Sequence, residues 1–234
     1  MESKLEKEMR FLKAYAVGAS LLIGVSLFAA FTLQSREQKF EVITARRINI
    51  TDSNGKVRVM LASDYKGDNS AGLFFFNQEG TESGALFYNA TRDKDGKIYA
   101  YSLLTMDQFK SDEIVRLEYD HTGNQKRQGL IISDRPDTLS PQAEDLLNAL
   151  RHALESAKTE EERQAIRRNY LLRIPAREIV ARRLFAGRDV DGASLVTLSD
   201  PDGKPKLMLK VDSLGKASIT FLDSSGRTVR TIKP

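Results

Sequence analysis

From about residue 50 to the C-terminus the chain keeps returning to one four-residue punctuation, Asp-x-x-Gly, set between short runs of alternating apolar residues. It stands at 52–55, 93–96, 120–123, 189–192, 200–203, 212–215 and 223–226, with 77–80, led by Asn77, as a variant. The chemistry is that of a tight hairpin turn. A side-chain carboxylate at the first position accepts hydrogen bonds from the turn's own amides, and glycine three residues on takes the left-handed conformation that a type I turn plus bulge demands. In the last third the aspartates fall at 189, 200, 212 and 223, a spacing of one strand plus one turn.

The flanking runs carry the two-residue period of a strand. Val57, Val59 and Leu61 alternate with Arg58 and Met60, Leu207, Leu209 and Val211 with Met208 and Lys210, and Ala217, Ile219 and Phe221 with Ser218 and Thr220. Shorter runs lie at 73–76, 85–88, 98–104, 114–119 and 130–132. Such alternation predicts antiparallel sheet with the Val/Leu/Ile face buried. Two hairpins match well beyond their turns: residues 48–61 and 196–209 agree in turn, apolar positions and basic alternate positions, Arg58 against Lys206. They read as an internal repeat, two related β units expected to pack together.

A different composition interrupts the β pattern. Ser140-Pro141 supplies an N-cap and a proline at the first helical position, and Leu146, Leu147, Leu150 and Leu154 recur at helical spacing. Thr159 followed by Glu162 is a capping box that starts a second helix, with Ile166, Tyr170 and Ile174 along it until Pro175. The expectation is a helical hairpin over 140–174, with helices near 141–157 and 160–173.

The N-terminus carries a different signal. No charged residue occurs from 14 to 35, and the 20 residues from Ala14 to Leu33 would span ~30 Å as a helix, the thickness of a bilayer's hydrocarbon core. No face of the segment is polar, which argues against a buried soluble helix, and no clean small-x-small cleavage signal follows it, which argues against a cleaved signal peptide. The expected organisation is therefore a cytoplasmic stretch 1–13, a transmembrane anchor 14–35 in contact with lipid, a β-rich part 40–139, the helical hairpin 140–174 and a β-meander 176–234. The fold class is mainly β: antiparallel hairpin and meander sheets, sandwich or barrel-like, with the helical insertion and one preceding transmembrane helix.

Composition narrows the chemistry. The chain of 234 residues has no cysteine, which excludes disulfides, thiolate nucleophiles and cysteine-ligated metals, and its two histidines argue against a histidine-rich metal site. Its 36 Lys+Arg against 32 Asp+Glu are too even to point to nucleic acid. No P-loop, strand-borne GxGxxG, GxSxG elbow or HExxH is present. Asp-x-Asp-Gly invites a calcium reading, but counting from Gly203 puts Leu198 and Leu209 where an EF-hand loop needs oxygen ligands. No catalytic residue, metal or cofactor is assigned. His121 is placed in an exposed turn. Two clusters stand out as candidates. One is polar and glycine-rich: Asn77, Glu79 and Glu82, to be joined in space by Asp107, Asp134 and Arg135. The other is a basic edge for an anionic partner, Arg163, Arg167 and Arg168, within an arginine-rich stretch that runs on to Arg177, Arg182 and Arg183.

Four segments carry a resemblance: Thr44-Ala-Arg-Arg-Ile-Asn-Ile50, Asn77-Gln-Glu-Gly-Thr-Glu-Ser-Gly84, Met106-Asp-Gln108, and Phe221-Leu-Asp223 with Gly226. Through them most of residues 40–234 resembles a family of uncharacterised bacterial envelope proteins, β-rich and anchored at the N-terminus, to which no activity is assigned. The resemblance implies architecture and an envelope location and transfers no catalytic residue. The expected function is a scaffold or binding module held in the inner membrane with its bulk in the periplasm, an accessory subunit of a membrane assembly that meets a protein partner or itself. The rivals are a carboxylate-based hydrolase or metal-binding enzyme using Glu79, Glu82 and Asp107, and a cleaved, secreted protein.

Overall fold

A computed structural model describes residues 4–33, 39–65, 67, 69–109, 111–171 and 173–234. The chain divides into two compact units, Met1–Thr44 and Ala45–Pro234. Among its described residues the first contains one helix, α1 (Lys4–Leu33). A span of 24 residues within it, Glu6–Ala29, is long and apolar enough to cross a membrane, with a mean hydropathy of 1.8 and none of it buried. The last two residues of the expected span, Gln34 and Ser35, lie outside the described residues, as do residues 1–3.

The second unit is mainly β. Its strands are β1 (Arg47–Thr51), β2 (Val57–Tyr65), β3 (Ser70–Phe76), β4 (Glu82–Arg92), β5 (Ile98–Asp107), β6 (Glu113–Thr122) and β7 (Gln125–Asp134), then β8 (Ala181–Arg188), β9 (Ser194–Ser199), β10 (Pro205–Val211), β11 (Ala217–Leu222) and β12 (Thr228–Ile232). They form a single antiparallel sheet in which every strand pairs with the next, in order from β1 to β12. Between β7 and β8 the chain leaves the sheet for α2 (Pro141–Ser156), α3 (Glu160–Leu171) and a short 3-10 turn (Ala176–Glu178), yet β7 and β8 pair as directly as any hairpin neighbours. The helical hairpin is thus an insertion that leaves the meander's order intact.

The turns form as their side chains dictate. Asp52 Oδ1 accepts from the amides of Asn54 (2.9 Å) and Lys56 (3.1 Å), while Gly55 N–H donates to the Asp52 carbonyl at 3.0 Å with a φ of +78°. The same pattern recurs at Asn77, Asp93, Asp200, Asp212 and Asp223. At 189–192 Asp191 supplies the carboxylate for Ala193 instead. The Asp-x-x-Gly match at 120–123 is not a turn of this kind. Asp120 and His121 are extended within β6, and the turn is the two-residue Gly123-Asn124, with Thr122 opposite Gln125 and glycine at φ +62° in the first central position. His121 is therefore partly buried rather than exposed, its Nε2 2.8 Å from the Gly123 carbonyl. The helix starts are capped as expected: Ser140 Oγ accepts from Ala143 N–H (3.2 Å), and Thr159 and Glu162 exchange hydrogen bonds at 3.2 and 3.4 Å.

The repeat extends to register. Ile48, Asn49 and Ile50 face Leu61, Met60 and Val59, with a bulge at Thr51–Val57; Val196, Thr197 and Leu198 face Leu209, Met208 and Leu207, with a bulge at Ser199–Pro205. The two hairpins do not pair with each other, because six strands, β3 to β8, separate them in the sheet. Burial also departs from the alternation. Met60 and Phe74 are 2% and 1% exposed and form a core with Ala62 and Ala85, whereas Leu61 is 51% exposed. The buried face is the one carrying Met60, Phe74, Ala85, Leu103, Ile131 and Phe185. The Val/Leu/Ile face, expected inside, faces outward.

Candidate functional site: an open apolar face backed by a charged one

The outward face has a regularity that emerges only from the strand registers. Ile48 lies opposite Leu61, and the pairing then runs through Leu73, Leu86, Leu104, Leu117, Leu130, Ala186, Val196, Leu209 and Ile219 to Ile232, each partnered with the next. One aliphatic rung from every strand crosses the whole sheet. Two residues along each strand a second row carries Ile50, Val59, Phe75, Gly84, Met106, Val115, Ile132, Leu184, Leu198, Leu207 and Phe221, ending at Arg230. Many of these side chains are at least two-fifths exposed, Leu117 at 54% among them. Over β9–β12 the face is hollowed into a groove of about 730 Å³ lined by Val196, Leu209, Ile219 and Ile232. Single exposed apolar residues are ordinary, but contiguous patches beyond a few hundred Å² mark surfaces that something covers.

The opposite face carries charge at its middle. Glu118, with its side chain 6% exposed, is held by Arg127 (3.2 Å) and Arg116 (3.5 Å). Arg127 also pairs with Asp189 at 3.5 Å and lies 4.4 Å over the Phe185 ring. Arg116, Arg127, Arg135 and Arg182 line a cleft of about 510 Å³ together with Glu113 and Asp189. Burial, reinforced by the nearby Arg127 charge, pulls the Arg182 guanidinium below its ordinary pKa.

The glycine-rich candidates are brought together only in part. Asn77 caps its own turn, accepting from Glu79 and Thr81 N–H, and Glu79 is exposed at that turn's tip. Glu82 accepts from Tyr65 Oη at 2.8 Å. It lies close enough to Asp107 to act on it: burial first, then the charges of Asp112 and Glu82, raises the Asp107 carboxyl, whose Oδ1 is buried with no hydrogen-bond partner among the described residues. Arg135 pairs with Asp112 (3.2 Å) and Glu113 (3.5 Å). Burial, then the hydrogen bond and charge of Asp112, pushes Glu113 up to about 7. Asp134 does not join this group; it pairs with Arg183 across the β7–β8 ladder. Asp112 and Glu113, which no motif marks in the sequence, take its place, brought in by the β5–β6 connection. Among the described residues no group of three or more His, Asp or Glu is arranged to hold a metal ion.

Arg163, Arg167 and Arg168 stand exposed on α3. The arginines that do converge come from β6, β7, the residue just after β7, and β8, so Arg182 and Arg183 belong to a strand rather than to the end of the helical segment. His152 is exposed on α2, 3.5 Å from Glu155. No protein-family model matches the chain, and no curated protein matches it.

Proposed function

We propose that the protein is a membrane-anchored, extracytoplasmic scaffold or binding module whose working surface is the outer face of its sheet. The observation that carries this reading is the unbroken aliphatic ladder from Ile48 to Ile232. Alternating sequence marks these positions for burial, and in the single chain they are open. A sheet face of this kind gains stability from protein cover at roughly 25 cal/mol per Å² of apolar surface removed from water. The helix α1 supports the anchor. In this reading residues 1–13 lie in the cytoplasm and the sheet lies outside the inner membrane. A β-rich sheet behind an apolar N-terminal helix is also what the resemblance to envelope proteins implies.

The experiment is extraction of the tagged full chain in mild detergent, comparing the parent with Leu86→Lys and Leu117→Lys. The role predicts a defined protein partner, whether another polypeptide or the same one, that the lysine variants lose while keeping the parent's circular dichroism. Recovery of the parent alone as a monomer contradicts it.

A carboxylate-based hydrolase has one observation in its favour. Glu113 and Asp107 are held with raised pKa values beside Glu82 and Arg135, an arrangement found where a carboxyl group moves a proton near neutral pH. Glu82→Gln and Glu113→Gln separate the readings: an enzyme loses turnover and keeps its fold, and a binding module keeps its partner.

A further inference from the structure

We propose that the arginine cleft on the charged face binds a small organic acid, with one carboxylate on the Arg182 guanidinium and the apolar body against Val180, Leu195 and Pro205. The site lies on the other side of the sheet from the aliphatic ladder and does not depend on what covers that ladder.

The pairing of charges calls for one more anion. Arg135 is held by Asp112 and Glu113. That leaves Arg116, Arg127 and Arg182 with Glu118 and Asp189, three cations to two carboxylates. Glu118 pairs with Arg116 and Arg127, and Asp189 with Arg127. The Arg182 side chain has neither an ion pair nor a hydrogen bond among the described residues, and it stays open to water. The charges of Arg127 and Arg116 act on it unfavourably, after burial the reason its guanidinium titrates below the ordinary value. A carboxylate laid on this fork supplies the missing charge with two parallel N–H···O bonds. A dianion would bring a surplus negative charge up to Asp189, Glu113 and Glu118.

The cleft is also built as a site rather than left as a gap. In the register of its floor Arg182 faces Ser133 and Phe185 faces Thr197. Both hydroxyl residues line the cleft, and neither side chain makes a hydrogen bond among the described residues. The β9–β10 turn closes one side. A Cβ on its Gly203 would lie 3.3 Å from Arg182 N and 3.6 Å from Ala176 Cβ, so the turn sits against the start of β8. Arg177 ties it to the 3-10 turn through Asp202 at 3.4 Å, and Arg183 Nε donates to the Ser199 carbonyl at 3.2 Å. Those two arginines hold the wall, and Arg182 is the one left to the cleft. Its volume of about 510 Å³ suits a small molecule.

The test titrates the full chain, in detergent at low salt, with benzoate by calorimetry, alongside benzamide and phenyl phosphate. The site predicts saturable one-to-one binding of benzoate. Benzamide, which keeps the ring and lacks the charge, is expected to bind at least tenfold more weakly. Phenyl phosphate, a dianion above its second pKa of about 6, is expected to bind more weakly than benzoate. Arg182→Gln should weaken benzoate at least tenfold with the parent's circular dichroism retained. Thr197→Val, of the same shape without the hydroxyl, should weaken it severalfold and carries the comparison if Arg182→Gln fails to fold. Arg163→Gln, which removes the same charge from α3, should leave binding unchanged. Absence of saturable benzoate binding overturns the proposal. Binding that Arg182→Gln and Thr197→Val leave intact, or that Arg163→Gln weakens as much, also overturns it, in favour of general attraction to a basic chain. Phenyl phosphate bound more tightly than benzoate overturns the single carboxylate.

Discussion

Arg127 Nη1 stands 3.2 Å from Glu118 Oε1 inside the sheet, with the guanidinium stacked 4.4 Å above Phe185. Glu118 is 7% exposed and is the shared partner of Arg116 and Arg127. Removing one member of a buried ion pair leaves the others desolvated and uncompensated, which costs more than the pair itself contributes. Glu118→Ala is expected to destabilise the fold by about 3 kcal/mol. Thermal unfolding of the full chain in detergent checks this, and an unchanged midpoint would show the network to be energetically idle.

Gly129 and Gly187 face each other across β7 and β8, the joint that closes over the helical insertion. A Cβ on Gly187 would lie 2.1 Å from the Gln128 carbonyl oxygen and 2.6 Å from the Gly129 Cα, both backbone atoms that cannot swing aside. Gly187→Ala is therefore expected to cost about 1–3 kcal/mol and to open the β7–β8 ladder first. Hydrogen exchange reads this as faster exchange at the amides of 128–134 and 181–188 than at β2–β3. Uniform protection would contradict the close packing at this joint.

Glu113 sets a pH dependence. Its folded pKa of about 7 lies above the 4.5 of an unperturbed glutamate, so between these values the folded chain binds more protons than the unfolded one. Stability is then highest near the lower value, falls as pH rises through the window and levels off above about 7. Asp107, also raised, contributes in the same direction. Glu113→Gln should flatten that decline. A parent protein that instead gains stability from pH 5 to 7 would refute the burial argument.

Much of the fold was legible because its information is local. Asp52, Asp200 and their relatives write each turn in four residues, and Ser140 and Thr159 write the helix starts. The loop at 108–112 closes with the same two backbone bonds, Gln108 N–H to Asp112 O and Ser111 N–H to Gln108 O, but lacks the Asp-x-x-Gly signature and went unread. Asp120–Gly123 has the signature without the turn, because strand β6 runs through it. Alternation identified Val59, Leu61, Leu207 and Leu209 as one face but could not say that Met60 and Phe74, across the pleat, would be the residues buried within a single chain. The ladder itself depends on eleven pairings between strands, which no single stretch of sequence contains. The site was legible to the extent that Glu82 lies near enough to Asp107 for its charge to act there. Asp134 falls to Arg183 instead, because one bulge in the β7–β8 register decides where its side chain goes.

The central claim is that protein covers the outer face of the sheet in the membrane-bound state. Reaction rates of Leu117→Cys and Ser224→Cys with a maleimide, measured on native membranes opened so that both sides are accessible, test it most directly. The account predicts rapid labelling at residue 224 and at least tenfold slower labelling at residue 117, with the difference abolished by denaturant. Equal rates at the two positions in native membranes would contradict it.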